Sequence, residues 1–139
     1  MIRFVLDASY AIGWVREEEQ TPEALNRLRA LGQREAEALV PMLWCTEIAN
    51  VLLTLERSNK LSTELILEWT TSFCTLPITV FAIDIEQSLT EIRPLALAHG
   101  LTAYDASYLH LALREQVPLA TFDRQLIKVA PKVGVQLLD

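Results

Sequence analysis

Short apolar, β-branched runs alternate along this chain with longer segments of helical periodicity. The runs Ile2 to Leu6, Ala38 to Val40, Thr79 to Ala82, Leu119 to Thr121 and Val135 to Leu138 have the length and composition of strands. The helical segments between them carry their own start and stop signals. Thr21 followed by Pro22 reads as an N-cap with proline at the first helical position, and Ser62 opens the helix carrying Leu65, Ile66, Trp69 and Phe73. Asp84 with Gln87 reads as a capping box, and Gly100 stops that helix just after His99. Strands separated in this way by helices imply an α/β fold with a mainly parallel sheet covered on both faces. No internal repeat or linker interrupts the pattern, and the 139 residues read as one domain spanning 1–139.

Composition narrows the class. Half the chain is hydrophobic and only 4 residues are glycine, which argues against disorder. The net charge of −6 argues against a surface built for unassisted duplex binding, which needs a clustered Lys/Arg face. It leaves room for a nuclease whose metal supplies positive charge locally. The longest uncharged run, Trp69 to Ile83, is too short to span a bilayer and is broken by Pro77. The N-terminus meets Asp7 too soon for a signal peptide. Cys45 and Cys74 lack metal-ligand spacing and read as reduced core residues of a soluble cytosolic protein.

The candidate chemistry lies in four acids: Asp7 in IRFVLDAS, Glu47 in LWCTEIANVLL, Asp105 in LTAYDASYLHLA and Asp123 in PLATFDRQL. Each sits inside or at the lip of an apolar segment, and none is expected to be neutralised by a neighbouring Lys or Arg. A carboxylate in such surroundings shifts its pKa, finds a partner or coordinates a metal. Single acids have ordinary explanations: Asp7 and Asp123 fit helix N-caps, and Asp105 fits a capping box with Thr102. Glu47 resists that treatment. On the helix Leu43 to Leu55 the apolar face is Trp44, Ile48, Val51, Leu52 and Leu55, and Glu47 shares an adjacent stripe with Asn50 and Thr54. Asn50 is placed there to orient a neighbouring carboxylate.

Four oxygen donors from four segments point to a divalent cation, and carboxylates suit Mg²⁺ or Mn²⁺ where Zn²⁺ prefers His or Cys. Parallel sheets bind ligands at the carboxyl ends of their strands, where Asp7 and Asp123 fall. The two histidines fit other roles, His99 at a helix C-terminus and His110 on a surface or partner contact. The chain has no glycine-rich phosphate loop. Asp7-Ala-Ser9 lacks the second acid of a haloacid-dehalogenase-like phosphotransferase. The run Glu17 to Glu19 reads as a solvated loop.

Taken together, LDASYAI, CTEIANVL and LTAYDASYLHLALREQVPLATFDRQL resemble PIN-domain proteins of the VapC toxin type. The likeness is most specific over Leu101 to Leu126 and weakest over Arg57 to Leu97. It implies a three-layer α/β/α fold and a Mg²⁺- or Mn²⁺-dependent endoribonuclease, the toxin of a type II toxin–antitoxin pair. Carried over, Asp7, Glu47, Asp105 and Asp123 are the catalytic and metal-binding quartet. Thr121 matches a hydroxyl position that bonds to a water at the metal, and Ser9 and Asn50 match small polar positions supporting the site. The expected partners are RNA, a cognate antitoxin and a second copy of the chain. The rival readings are a PIN-like RNA- or protein-binding module that does not cleave, and a metal-dependent phosphatase or DNA nuclease. Ile12, Trp14, Val15, Trp44 and Leu52 are expected to exceed what one small sheet can bury and to form the partner surface.

Overall fold

The computed structural model describes residues 1–139. Four strands, β1 (Ile2–Leu6), β2 (Ala36–Pro41), β3 (Ile78–Phe81) and β4 (Leu119–Ala120), form one sheet in the order β3-β2-β1-β4. Every pairing is parallel, with Phe4 opposite Ala38, Val40 opposite Val80 and Leu6 opposite Ala120. The central strands are apolar on both faces because both are covered: Phe4, Val5, Leu6, Ala38, Leu39 and Val40 are wholly buried. The helices are α1 (Ala8–Val15), α2 (Pro22–Gly32), α3 (Leu43–Arg57), α4 (Thr63–Thr75), α5 (Ile85–Gln87), α6 (Arg93–His99), α7 (Ala103–Glu115) and α8 (Arg124–Val129). A π-type turn, Ser88–Ile92, joins α5 to α6 in one continuous helical segment. Helices α1, α2 and α3 pack together, with α2 and α3 against β2, while α6 packs on α7 and α7 lies on β1 and β2. This is the expected three-layer α/β/α arrangement.

Local signals in the sequence act as read. Besides Asp123 on the Leu126 amide, the caps are Thr21 on the Ala24 amide, Ser62 on Leu65, Asp84 on Gln87 and Thr102 on Asp105. Gly100 takes the left-handed conformation at φ 66°, which a side chain would resist, and stops α6. Glu17–Glu19 is a 3₁₀ turn held by Arg16, which pairs with Glu18 at 2.7 Å and Glu19 at 3.3 Å.

Three expectations need correction. Val135 to Leu138 is not a full strand: only Leu137 bridges Leu119, and Val135 turns into the core instead. Cys45 and Cys74 are not core residues, since both are exposed. Trp14, Val15 and Trp44 are buried, so they do not form a partner surface. An aromatic chain absorbs them: Phe73 on α4 contacts Trp14, Trp44 and Trp69 at ring-centroid distances of 6.5, 5.8 and 5.6 Å. The exposed apolar side chains are others, among them Met42, Ile85, Leu89, Leu97 and Tyr104 around α5–α6, and Leu53, Leu65 and Leu67 on α3–α4.

Candidate active site

Strands β1 and β4 are neighbours, so the residues that follow them meet at the carboxyl edge of the sheet. Asp7 follows β1, and its amide donates to the Ala120 carbonyl at 3.0 Å. Its side chain is 5% exposed, one of two buried polar residues; the other is Thr121, just past β4. The Thr121 hydroxyl donates to Asp7 Oδ2 at 2.7 Å and the Ser9 hydroxyl to the same oxygen at 2.5 Å. Each hydroxyl also accepts a backbone amide, Ser9 from Phe122 at 2.9 Å and Thr121 from Asp123 at 2.9 Å. Each amide occupies a lone pair of its hydroxyl, and the Asp7 carboxylate is the charged acceptor within reach of both hydroxyl hydrogens. Ser9 and Thr121 therefore hold Asp7 in one orientation, with Oδ1 free of side-chain donors.

Asp123 follows two residues later and its Oδ1 accepts the Leu126 amide at 3.0 Å, capping α8. Asp7 occupies the cap position of α1 but makes no side-chain cap bond, because its carboxylate is committed to Ser9 and Thr121. Asp105 lies in the first turn of α7, with its amide on the Thr102 hydroxyl at 3.1 Å. Glu47 lies one turn into α3, half-buried, and accepts a hydrogen bond from the buried Tyr108 hydroxyl on α7. Asn50 is exposed and makes no hydrogen bond to any of these acids, so it does not orient a carboxylate here.

The four acids feel one another. Burial pushes the Asp7 carboxyl above its ordinary range despite the Ser9 and Thr121 hydrogen bonds, and the Asp123 charge adds to the rise. Burial also raises Glu47, with Asp7 and Asp105 contributing repulsion against the opposing Tyr108 hydrogen bond. Asp105 rises for the same reasons, burial first, then Asp123 and Asp7. No cation offsets this repulsion. Arg3, four residues before Asp7, is directed to Glu37 and Glu115, and no ion pair in the structure involves any of the four. Repelling carboxylates without a counter-charge are a hard, all-oxygen donor set, which fits Mg²⁺ or Mn²⁺ in kind. In position they are spread: Glu47 is turned to Tyr108 and Asp123 to its cap, and no three His, Cys, Asp or Glu side chains converge to hold an ion together.

Tyr108 is the site residue that sequence reasoning missed. The available signal was its spacing, three residues after Asp105 on one helix, which places the two side chains on the same face. His110, half-buried, lies 3.1 Å from Glu91 and takes no part in the site. A concavity of about 530 Å³, lined by Met42, Phe81, Leu89 and Tyr104 among others, contains none of the four acids. Its apolar lining suits a partner better than a reaction.

Solved structures share this architecture. VapBC2 from Rickettsia felis, bound to a DNA fragment from its promoter, aligns with a TM-score of 0.67 over 99% of this chain and 98% of that one at 13% identity. A toxin–antitoxin complex from Klebsiella pneumoniae aligns at 0.61 over 88% and 89% with 14% identity. FitAcB from Neisseria gonorrhoeae aligns at 0.60 over 98% and 96% with 16% identity. At these identities the likeness concerns the fold. No curated protein sequence matches the chain significantly. The sequence from residue 4 to 132 matches the PIN domain family, a span that takes in nearly all of the sheet and all four acids, and the chain belongs to that family.

Proposed function

We propose that this protein is a Mg²⁺- or Mn²⁺-dependent endoribonuclease and the toxin component of a type II toxin–antitoxin pair. The observation that carries the reading is the mutual repulsion of Asp7, Glu47, Asp105 and Asp123 at one sheet edge with no cation to balance it. Such an arrangement costs stability in the free protein and is accounted for by a ligand that is itself positive. These four residues would hold the cation. When bound, it supplies charge neutralisation at the scissile phosphate and a water of lowered pKa.

The chain's own residues do the remaining work. Ser9 and Thr121 fix Asp7 in its rotamer, so that Oδ1 faces the site without searching. Tyr108 stabilises Glu47 through Oε1 and leaves Oε2 to accept a proton from, or orient, the attacking water. A carboxylate with a raised pKa is better matched to that task near neutrality than a free one. Asp123 joins the site to the start of α8, so its position is set by backbone as well as side chain.

For partners, the Klebsiella structure is by name a toxin–antitoxin complex, and we carry that partnership to this chain. The groove between α3 and α4, lined by Leu52, Leu53 and Phe73 among others, offers an apolar seat for an antitoxin segment. The apolar side chains around α5–α6, including Ile85, Leu89 and Leu97, support a homodimer. No helix is long and apolar enough to cross a membrane. The test is substrate profiling of the purified chain with Mg²⁺, Mn²⁺ or chelator. RNA cleavage that chelation stops is the expected result. Binding of RNA without cleavage would favour a non-catalytic module, and turnover only of DNA or a phosphomonoester would reassign the substrate.

A further inference from the structure

The two exposed cysteines line one groove between α3 and α4. Near its closed end the Thr63 hydroxyl donates to Glu56 at 3.4 Å, so those two positions look at one another. Cys45 lies eleven residues before Glu56, and Cys74 lies eleven after Thr63. Eleven residues are about three turns of an α-helix, which returns a side chain to nearly the same face. In an antiparallel pair, Cys45 and Cys74 therefore repeat the Glu56–Thr63 relationship three turns further on. The helices stay together at that level, because Trp44 and Phe73, the residues just before each cysteine, meet edge to face at 5.8 Å. Both cysteines line the same groove, about 500 Å³, with Ile48, Leu52, Ile66 and Phe73. Both are free and accessible to solvent.

We propose that Cys45 and Cys74 are a dithiol site for exchange with a small-molecule disulfide of the glutathione type. One cysteine, as its thiolate, attacks a sulfur of the small disulfide; the S–S bond breaks, a mixed disulfide forms and one small thiol leaves with a proton from solvent. The second cysteine loses its proton and attacks the protein sulfur of the mixed disulfide, forming the Cys45–Cys74 bond and releasing the second small thiol. The protein loses two electrons and two hydrogens, and the small disulfide gains them. The new bond joins α4 to α3 two residues before Glu47 and narrows the groove between the helices. This inference stands independently of the nuclease reading.

The experiment incubates the full-length protein at low micromolar concentration with oxidised glutathione, then maps peptides by mass spectrometry without reduction. The expected result is a monomer that has lost both thiols and yields one linked Cys45–Cys74 peptide pair, cleaved again by dithiothreitol. In Cys45→Ser or Cys74→Ser, folded by circular dichroism, the reaction should stop at a stable mixed disulfide. Wild-type protein carrying glutathione on both cysteines without a link, or linked only between molecules, would overturn the proposal.

Discussion

The buried hydroxyl of Tyr108 donates its hydrogen to the carboxylate of Glu47, tying α7 to α3 across 61 positions of sequence. The contact joins the two helices that carry Glu47 and Asp105, so one side chain sets the spacing of two of the acids. Tyr108→Phe should therefore lower Mn²⁺ affinity and RNA cleavage by about 10–100-fold, the usual effect of losing a group that orients a ligand. Calorimetric Mn²⁺ titration checks this, and unchanged affinity would remove Tyr108 from the site.

Relief of repulsion gives a second prediction. Asp7→Asn keeps the shape that Ser9 and Thr121 grip and removes the charge that burial and Asp123 disfavour. The metal-free variant should melt a few degrees higher than wild type, the scale on which about 1 kcal/mol moves a domain of this size. Wild type, but not the variant, should then be raised strongly by Mn²⁺, since the ion binds only the folded cluster. Scanning calorimetry with and without metal measures both.

The same repulsion fixes the sign of a pH effect. Asp7, Glu47 and Asp105 all have folded pKa values raised above the ordinary 3.8, 4.5 and 3.8. The folded state thus holds protons more tightly than the unfolded one. The resulting stability is complete below the ordinary values and is lost as pH rises through the raised ones. In metal-free protein, the advantage of Asp7→Asn over wild type should grow as pH rises from about 4 to 8. An advantage that shrinks over that range would contradict the raised Asp7.

Two buried tryptophans should respond differently to the same change. Trp14 donates its indole N–H to the Ala24 carbonyl at 2.8 Å, whereas the buried Trp44 Nε1 has no partner. Trp14→Phe loses a buried hydrogen bond and should cost about 0.5–1.5 kcal/mol beyond the packing loss. Trp44→Phe removes an unsatisfied donor and should cost less. Urea denaturation of the pair of variants measures the difference.

Packing next to the site should also matter. A Cβ on Gly13 would stand 2.8 Å from the Phe122 ring, which stacks on Tyr10 at 4.7 Å. Phe122 lies between Thr121 and Asp123, so Gly13→Ala should push the ring outward and weaken cleavage more than stability. Equal losses in both would mean the strain does not reach the acids.

Much of this was legible in the sequence because the signals were local. The capping residues Thr21, Ser62, Asp84 and Thr102 act within their own turns, and the apolar runs of β1 and β2 announce strands covered on both faces. What was not legible depends on partners far along the chain. Val135 to Leu138 has strand composition, but β4 is only Leu119–Ala120 and offers it a single bridging position. Trp14 and Trp44 look like excess apolar surface until Phe73 arrives from α4 to cover them. Cys45 and Cys74 sit in apolar segments yet at solvent-exposed positions of their helices. Glu47 was found from its conflict with an apolar helix, but Tyr108 was not, because nothing in YDASYLHLA says which distant acid its hydroxyl meets.

The most direct test of the acidic quartet is single-turnover cleavage of a structured RNA with Mn²⁺, comparing wild type with Asp7→Asn and Asp105→Asn, each confirmed folded by circular dichroism. Wild type should cleave only with metal, and each variant should lose at least about 10²-fold in rate, above the range for residues that merely orient a ligand. Wild-type cleavage in chelator, or both variants cutting at the wild-type rate, would contradict a metal-dependent nuclease built on these four carboxylates.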